Sequence, residues 1–263
     1  MSVLLQISDT HFGTEQPPVI EALVRLSLKQ RPDLLVLSGD ITQRARQVQF
    51  RAARAFVDRL NVPVLAIPGN HDIPLFNLWT RVRQPYAHYR AAFGSVLEPT
   101  YSSADMLVVC VNTTRWYRHK NGEVSGQQID RVAQQLTQAS PAQLRVVVVH
   151  QPLAVNHSAD SHDLLRGHAH AIQSWAAAGA DLLMGGHIHL PYVMAVANTK
   201  GSVWAVQAGT AVSSRIRSGV PNSVNIIRCG HDAPERCCVI EQWDYESQAQ
   251  AFARGVVTVV RLR

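Results

Sequence analysis

Five short polar clusters each follow directly after an apolar run that is typical of a buried β-strand. The clusters are Ser8-Asp9-Thr10-His11, Ser38-Gly39-Asp40, Pro68-Gly69-Asn70-His71-Asp72, the single His150, and Gly185-Gly186-His187-Ile188-His189. Open α/β sheets bind ligands in the crevice outside the carboxyl ends of their strands. This arrangement therefore predicts a fold in which carboxylate, imidazole and amide side chains from distant parts of the chain converge in one crevice.

The order of apolar and amphipathic segments predicts an α/β fold. Strands are predicted near 3–8, 34–38, 63–67, 107–112, 145–149, 181–185, 192–197, 203–208, 224–228, 237–244 and 256–262, and helices near 18–30, 46–60, 85–93, 126–139 and 163–178. Alternating strands and helices in the first half favour parallel pairing, and closely spaced strands in the second half favour hairpins. We expect two mixed sheets flanked by helices. No linker or charge block divides the 263 residues, so one domain over 1–263 is predicted.

The residue types in the clusters suit the hydrolysis of a phosphate ester by a metal pair. Two cations roughly 3.5–4 Å apart can clamp both the entering and the leaving oxygen of an in-line displacement. Two cations at such a short distance need an anion between them. Mixed carboxylate, imidazole and amide ligands favour Mn or Fe, with Zn as an alternative, and no cysteine lies in the clusters.

The five clusters together resemble the signature of the calcineurin-like metallophosphoesterase superfamily, which is D-x-H, G-D, G-N-H-D/E, H and G-H-x-H. The resemblance implies a four-layer αββα sandwich and two divalent metal ions. It implies one metal on Asp9, His11 and His189, a second on Asn70, His150 and His187, and Asp40 as the bridge. A water or hydroxide between the metals would attack the phosphorus. His71 would give a proton to the leaving oxygen, and Asp72 would orient His71.

Signatures of two other branches of this superfamily are missing. Protein Ser/Thr phosphatases carry Asp-Arg-Gly after the second motif, whereas Gly39-Asp40 here continues as Ile41-Thr42-Gln43. The metal-binding tyrosine of purple acid phosphatases is also missing. The sequence is more similar to the bacterial cyclic-nucleotide-phosphodiesterase-like branch, class III.

This similarity implies a small phosphodiester as substrate, with a 3′,5′-cyclic nucleotide as the first hypothesis. Two enzymatic alternatives stay open. A pyrophosphatase for a UDP-linked lipid A precursor would need an apolar, helix-capped groove, for which residues 73–89 are the candidate. A nuclease would need an extended basic track. A catalytically silent phosphate-binding scaffold is the non-enzymatic alternative, and the intact motifs argue against it.

Cationic and aromatic side chains follow several of the predicted strands and suit an anionic phosphate ester. We predict that Arg81, Asn112 and Arg215 bind substrate together with Asn70 and His71. The net charge of +6 lies in large part on the predicted helix 46–60, where it is typical of a solvated helix face. A nucleic-acid partner is therefore not expected, and a homo-oligomer stays open.

The remaining composition points to an enzyme of the cytoplasm. No apolar run approaches the length of a membrane span, and no secretory signal precedes the first strand. The four cysteines lack the spacing of a disulfide framework. His168 and His170 are predicted on one helix, where residues two apart do not face each other and cannot chelate one ion. A zinc site at Cys229, His231 and Cys237-Cys238 is disfavoured, because residues 232–234 indicate a hairpin turn.

Overall fold

The computed structural model of the protein describes residues 2–199, 203–230 and 236–262. Its strands are β1 Ser2–Ile7, β2 Leu34–Leu37, β3 Val64–Ala66, β4 Thr100–Ser102, β5 Met106–Cys110, β6 Leu144–Val148, β7 Leu182–Gly185, β8 Tyr192–Ala195, β9 Trp204–Gln207, β10 Ser223–Gly230, β11 Cys237–Glu246 and β12 Ala251–Arg261. Its helices are α1 Pro17–Gln30, α2 Gln47–Leu60, α3 Leu78–Arg83, α4 Ala87–Phe93, α5 Gly126–Thr137 and α6 His168–Ala177, with 3₁₀ turns at Asn70–Asp72 and Ser158–Asp163.

The described strands form two six-stranded mixed sheets. The first has the order β12-β11-β10-β1-β2-β3, and the second has the order β4-β5-β6-β7-β9-β8. Parallel pairs join β1, β2 and β3 in the first sheet and β5, β6, β7 and β9 in the second. Strands of this kind that are buried on both faces read as continuous apolar runs. Strand β6, for example, is Leu-Arg-Val-Val-Val, and four of its five residues are buried.

Three apolar clusters hold the layers together and give the αββα order. One cluster packs α1 and α2 against the outer face of the first sheet, and another packs α5 and α6 against the outer face of the second. The third lies between the sheets and joins Leu4 and Val36 of the first sheet to Val146 and Met184 of the second. Two mixed sheets flanked by helices confirm the predicted fold class.

Helix ends follow local chemistry. Helix α1 begins with Pro17, whose fixed φ and missing N–H suit a first helical turn. Helix α5 begins at a capping box in which Ser125 Oγ accepts a hydrogen bond from Gln128 N–H, and Gln128 Oε1 accepts one from Ser125 N–H. This capping box fixes where α5 begins.

The predicted helix 163–178 is wrong at its start. Residues Ser158–Asp163 form a 3₁₀ turn, and α6 begins only at His168 because Gly167 has a left-handed φ of 87°. His168 Nδ1 lies 2.9 Å from the Leu165 carbonyl oxygen at this helix end. Strand β4 and helix α3 were not predicted, and the last strand begins at Ala251 instead of 256. The hairpin turn 232–234 and His231 lie outside the described residues.

No helix in the described part of the chain is both long and apolar enough to cross a membrane.

Candidate metal centre

Hydrogen bonds join the loops that carry the sequence motifs. Within the first sheet, the His11 N–H donates to the Asp40 carbonyl oxygen over 3.0 Å. Between the sheets, the His187 N–H donates to Asp9 Oδ2 over 3.0 Å. This approach requires glycine at position 186, because a Cβ on Gly186 would lie 2.5 Å from Asp9 Oδ2. The motif loops of both sheets therefore meet in one place.

Five of the motif residues have a left-handed backbone, which non-glycine residues adopt rarely. The φ angles are 53° at Asp9, 40° at His11, 48° at Asp40, 76° at His187 and 57° at His189. Such strain persists only where the surrounding structure holds it, and it clusters at functional sites. Here it turns side chains from three sharp loops toward a common centre.

One group of possible metal ligands consists of Asp9, His11 and His189, whose ligand atoms lie within 4.8 Å of one another. Asp9 Oδ1 lies 3.5 Å from His189 Nε2 and 3.8 Å from His11 Nε2. The two Nε2 atoms lie 3.4 Å apart. Three buried or half-buried donors facing one point suit a single divalent cation.

A second group of possible ligands consists of Asp40, His150 and His187. His150 Nε2 lies 3.3 Å from Asp40 Oδ1 and 3.3 Å from Asn70 Oδ1, so Asn70 borders the same point. The other oxygen of Asp40, Oδ2, lies 3.8 Å from His11 Nε2 of the first group. The carboxylate of Asp40 therefore lies between the two groups.

Buried hydrogen bonds hold the ring planes of two of these histidines. His150 Nδ1 lies 2.9 Å from the Ser38 carbonyl oxygen, so Nδ1 carries the hydrogen and Nε2 faces the second group. His189 Nδ1 lies 2.6 Å from Thr210 Oγ1, which leaves its Nε2 facing the first group. Metal-binding histidines are commonly oriented by such outer partners.

Burial and the carboxylates set the protonation of the cluster. Burial lowers the pKa of His11 to about 3, against the opposing effect of Asp40 and Asp9, so its ring is neutral at pH 7. Burial also disfavours charge on His150, but the Asp40 carboxylate outweighs it and raises the pKa of His150 to about 9. A cation bound at this point would displace that proton, because an imidazole ligates in its neutral form.

His187 provides a direct test of whether a cation fits. Its ring is buried, and neither ring nitrogen has a hydrogen-bond partner among the described residues. The Asp163 Oδ1 atom lies 3.5 Å from His187 Nε2, and Lys120 Nζ lies 2.7 Å from the same oxygen. Buried polar atoms without partners are rare. The unpartnered ring and the mixed donor set fit a divalent cation.

Asp163 was not singled out by the sequence as a site residue. It lies at the end of a 3₁₀ turn and belongs to none of the five motifs. Burial raises the pKa of Asp163, but the nearby His187 and Lys120 outweigh it and hold the pKa well below the usual range. No local pattern marks such a residue, since only the fold brings it to His187.

Asp72, which the sequence predicts to orient His71, is hydrogen-bonded to other groups in the structure. Its carboxylate accepts hydrogen bonds from the N–H groups of Ile41, Thr42 and Gly69 and from Thr42 Oγ1, over 2.8–2.9 Å. Burial and the charge of nearby Asp40 raise the pKa of Asp72 to about 6. The residue ties the second and third motif loops together. Its side chain is directed into the loop because the 3₁₀ turn places it opposite three backbone donors.

His71 contacts Gln43 and Arg215 instead. Its Nδ1 lies 3.0 Å from the Gln43 carbonyl oxygen, which can only accept, so Nδ1 carries a hydrogen. Its Nε2 lies 3.1 Å from Arg215 Nη1, which can only donate, so the lone pair of Nε2 accepts this hydrogen bond. The backbone N–H of His71 donates to Asp40 Oδ1 over 2.8 Å.

The three side chains predicted to bind substrate have different positions. Arg215 lies beside the metal-ligand groups, with Nη1 3.3 Å from His11 Nδ1. Arg81 is buried, and its guanidinium donates to the carbonyl oxygens of Pro74 and Arg118 over 3.0 and 2.5 Å. The side-chain oxygen of Asn112 accepts two hydrogen bonds within its own turn. Arg81 and Asn112 thus hydrogen-bond to groups of nearby loops, and their part in substrate binding stays a prediction.

A cavity of about 90 Å³ lies beside His71 and Asn70. Its other walls are formed by residues that were not predicted as site residues: Gln43, Arg44, Ile73, Leu75 and His119. Gln43 and Arg44 come shortly after Asp40 of the second motif. This nearness to a motif was the one signal in the sequence that could have identified them as site residues. His119 comes from a loop more than forty residues away, so only the structure reveals it.

Comparison with known proteins agrees with the geometry. The family model for calcineurin-like phosphoesterases matches residues 2–191. A protein of Synechococcus sp., named a probable cyclic nucleotide phosphodiesterase, is 26% identical over 208 residues, 72% of this chain and 74% of that protein. The glycerophosphodiester phosphodiesterase GpdQ of Enterobacter lignolyticus is 36% identical over 81 residues, only 27% of this chain and 29% of that enzyme.

Two solved structures share the fold at low sequence identity. A dimetal phosphatase from Danio rerio has a TM-score of 0.70 at 13% identity, covering 100% of this chain and 99% of the other. The purple acid phosphatase PPD1 from yellow lupin has a TM-score of 0.69 at 12% identity, covering 99% of this chain and 54% of the other. Fold and site together define a hydrolase of the metal-dependent phosphatase type, a class that works with divalent ions.

The chain belongs to the calcineurin-like phosphoesterase family, as the five motifs predicted.

Proposed function

We propose that the protein is a dinuclear metal-dependent phosphodiesterase. The main support is the position of the Asp40 carboxylate, which has one oxygen 3.3 Å from His150 Nε2 and the other 3.8 Å from His11 Nε2. In the proposal, Asp40 would lie between two cations. Asp9, His11 and His189 would hold one cation, and Asn70, His150 and His187 would hold the other. The donor set favours Mn or Fe, with Zn as an alternative.

The cations would supply charge for the entering and leaving oxygens and a nucleophile at neutral pH. The side chains around them bind and orient the ester. Arg215 would bind a non-bridging phosphate oxygen, since guanidinium groups recognise phosphates through directed N–H donors. Its Nη1 lies 3.1 Å from His71 Nε2 and 3.3 Å from His11 Nδ1, which places it at the edge of the metal-ligand groups.

His71 would give a proton to the leaving oxygen. In the structure, Arg215 Nη1 lies at His71 Nε2, the nitrogen that must carry the transferred proton. When Arg215 turns to the substrate phosphate, Nε2 becomes free to bind a proton and face the leaving group. The Gln43 carbonyl oxygen, 3.0 Å from Nδ1, keeps the ring in place during this change. Asn70 and His71 thus act side by side, one on the metal and one on the departing oxygen.

A phosphodiester is the proposed substrate class, and a 3′,5′-cyclic nucleotide is the first candidate. The similarity to the Synechococcus protein, which covers most of both chains, supports this choice. The shorter similarity to the glycerophosphodiester enzyme supports the broader class of small diesters. The four free cysteines support a reducing compartment, and we propose the cytoplasm.

The test compares a diester and its matching monoester. The Mn-loaded protein is assayed with bis-p-nitrophenyl phosphate and p-nitrophenyl phosphate, and then with cyclic nucleotides, glycerophosphodiesters and UDP-linked substrates. We expect kcat/KM for the aryl diester to exceed that for the monoester by about tenfold, or about 1.4 kcal/mol. A tenfold preference for the monoester would place the protein among the phosphomonoesterases instead.

A further inference from the structure

Large apolar side chains are exposed around the mouth of the His71 cavity. Phe76 and Trp79 are 80% and 71% exposed, and Leu78 and Val82 of the same segment are more than half exposed. Trp116 and Tyr117 in a second segment are close to half exposed. We name the set Phe76, Leu78, Trp79, Val82, Trp116 and Tyr117 the apolar rim. Exposed apolar clusters of this kind mark interaction surfaces.

The two segments form one continuous surface. The buried guanidinium of Arg81 donates to the Pro74 carbonyl oxygen before α3 and to the Arg118 carbonyl oxygen in the second segment. Leu75 and His119, which adjoin the two halves of the rim, line the same cavity beside His71. The apolar rim therefore borders the entrance to the candidate active site from two sides.

Arginines accompany the exposed rings. The guanidinium carbons of Arg44, Arg83 and Arg118 lie 5.6, 4.7 and 5.5 Å from the ring centroids of Phe76, Trp79 and Tyr117, respectively. Residues 73–97 and 113–122 contain no aspartate or glutamate. Arg118 is also paired with Glu123, whereas the cation–ring contacts of Arg44 and Arg83 leave the charge of these two side chains accessible to an anionic partner. The surface therefore combines exposed apolar side chains with positive charge.

We propose that the apolar rim binds the surface of an anionic phospholipid membrane. Tryptophan, phenylalanine and leucine enter the boundary between head groups and acyl chains, and nearby arginines bind anionic lipid. An isologous dimer through the rim would place the same arginines against each other. A nucleic-acid platform would use stacked rings along a basic groove, whereas Leu78 and Val82 add aliphatic surface. The charge and side-chain types together fit a lipid surface best.

Docking in this way would turn the His71 cavity toward lipid head groups, whose phosphates are diesters. Only this consequence rests on the proposed function; membrane binding by the rim does not require turnover. It also does not require a spanning helix.

The test measures binding of the Mn-loaded full chain to vesicles by flotation. Vesicles contain phosphatidylcholine alone or phosphatidylcholine mixed with phosphatidylglycerol. The rim variant is Phe76→Ser/Trp79→Ser, and the matched control is Leu28→Ser/Val259→Ser, which removes two exposed apolar residues elsewhere. We expect wild type to bind the anionic vesicles, with binding that weakens as salt rises. The rim variant should bind at least tenfold more weakly, and the control should bind like wild type.

Activity on the soluble aryl diester shows that each variant is folded, and we expect the rim variant to retain it. Three results would overturn the membrane proposal: no binding of wild type to anionic vesicles at low salt, equal weakening in the control variant, or equal binding to neutral vesicles. Wild type that does not bind vesicles could instead self-associate in sedimentation velocity or bind single-stranded DNA. If the rim variant lost either of these interactions, the surface would be assigned to another partner. Loss of membrane binding with retained diester hydrolysis separates this proposal from the proposed function.

Discussion

Replacing Asp72 with asparagine distinguishes a structural role for this carboxylate from a catalytic one. Oδ1 accepts hydrogen bonds from the N–H and the Oγ1 of Thr42, and Oδ2 accepts from the N–H groups of Ile41 and Gly69. At pH 8, above its pKa of about 6, the carboxylate is ionised and all four contacts are available. An asparagine amide keeps one accepting oxygen and presents an NH₂ group to the other pair of donors.

The expected loss of stability follows from the two donors that the amide cannot satisfy. Each buried donor without a partner costs about 1–3 kcal/mol, so Asp72→Asn should lower the free energy of unfolding by about 2–6 kcal/mol. Proteins are commonly stable by only about 5–15 kcal/mol. The melting temperature should therefore fall, by roughly 2–4 °C for each kcal/mol in a chain of this size.

Urea unfolding of the metal-free protein at pH 8 measures this loss. Asp58→Asn is the matched control, because Asp58 is exposed and pairs only with Arg54 on the surface of α2, an arrangement worth about 0–1 kcal/mol. A change within about 0.5 kcal/mol for Asp72→Asn, accompanied by a selective loss of activity on alkyl esters, would refute the structural role. Asp72 would then act on His71, as the sequence suggested.

Three further outcomes are expected. His71→Ala should keep both metals, lose little activity on p-nitrophenyl esters and lose about 10²–10⁴-fold on alkyl esters, which need a protonated leaving oxygen; equal losses would assign His71 to phosphate binding. Asp163→Asn should weaken metal affinity by about 10–100-fold in calorimetric titration, because the charge of the carboxylate 3.5 Å from His187 Nε2 is lost; unchanged affinity would show that this carboxylate does not support the site. Burial raises the pKa of Glu241, but hydrogen bonds from Trp243 and two arginines outweigh it and lower the pKa below 4.5. The stabilisation by the Glu241 carboxylate is therefore present above pH 4.5 and lost as the pH falls further. Glu241→Gln should lower the free energy of unfolding by about 1–3 kcal/mol at pH 7 and by less in acid. A difference in unfolding free energy between variant and wild type that does not change with pH would contradict this.

The motif residues could be predicted because their positions depend on the backbone. Each cluster follows a buried parallel strand, and strand ends in one sheet lie at one edge. Asp9, Asp40 and His187 also need loops with left-handed φ angles, and the adjacent glycines in two of these motifs permit such turns. Local sequence therefore carried both the fold class and the convergence of the ligands. The single-domain organisation over 1–263 stays a prediction.

The roles of other residues depend on where their side chains point in the folded protein, and the local sequence does not determine this. Asp72 and Arg81 lie next to the site in sequence, but backbone groups of neighbouring loops take up their polar atoms. Asp163 comes near His187 only in the folded chain, at the end of the 3₁₀ turn before α6, and the periodicity of residues 163–178 resembled one continuous helix. Helix α3 was missed since its six residues are too short to show a period.

The metal content of the Asp40→Ala variant tests the central claim most directly. Elemental analysis should find two divalent ions per chain in wild type loaded with Mn. Without the carboxylate between the two ligand groups, the cations would repel each other unscreened. We expect Asp40→Ala to lose both ions, or to keep at most one, and to lose diester hydrolysis, while its circular dichroism matches that of wild type. Two ions per chain with unchanged activity in Asp40→Ala, or a single ion in fully active wild type, would contradict the dinuclear site.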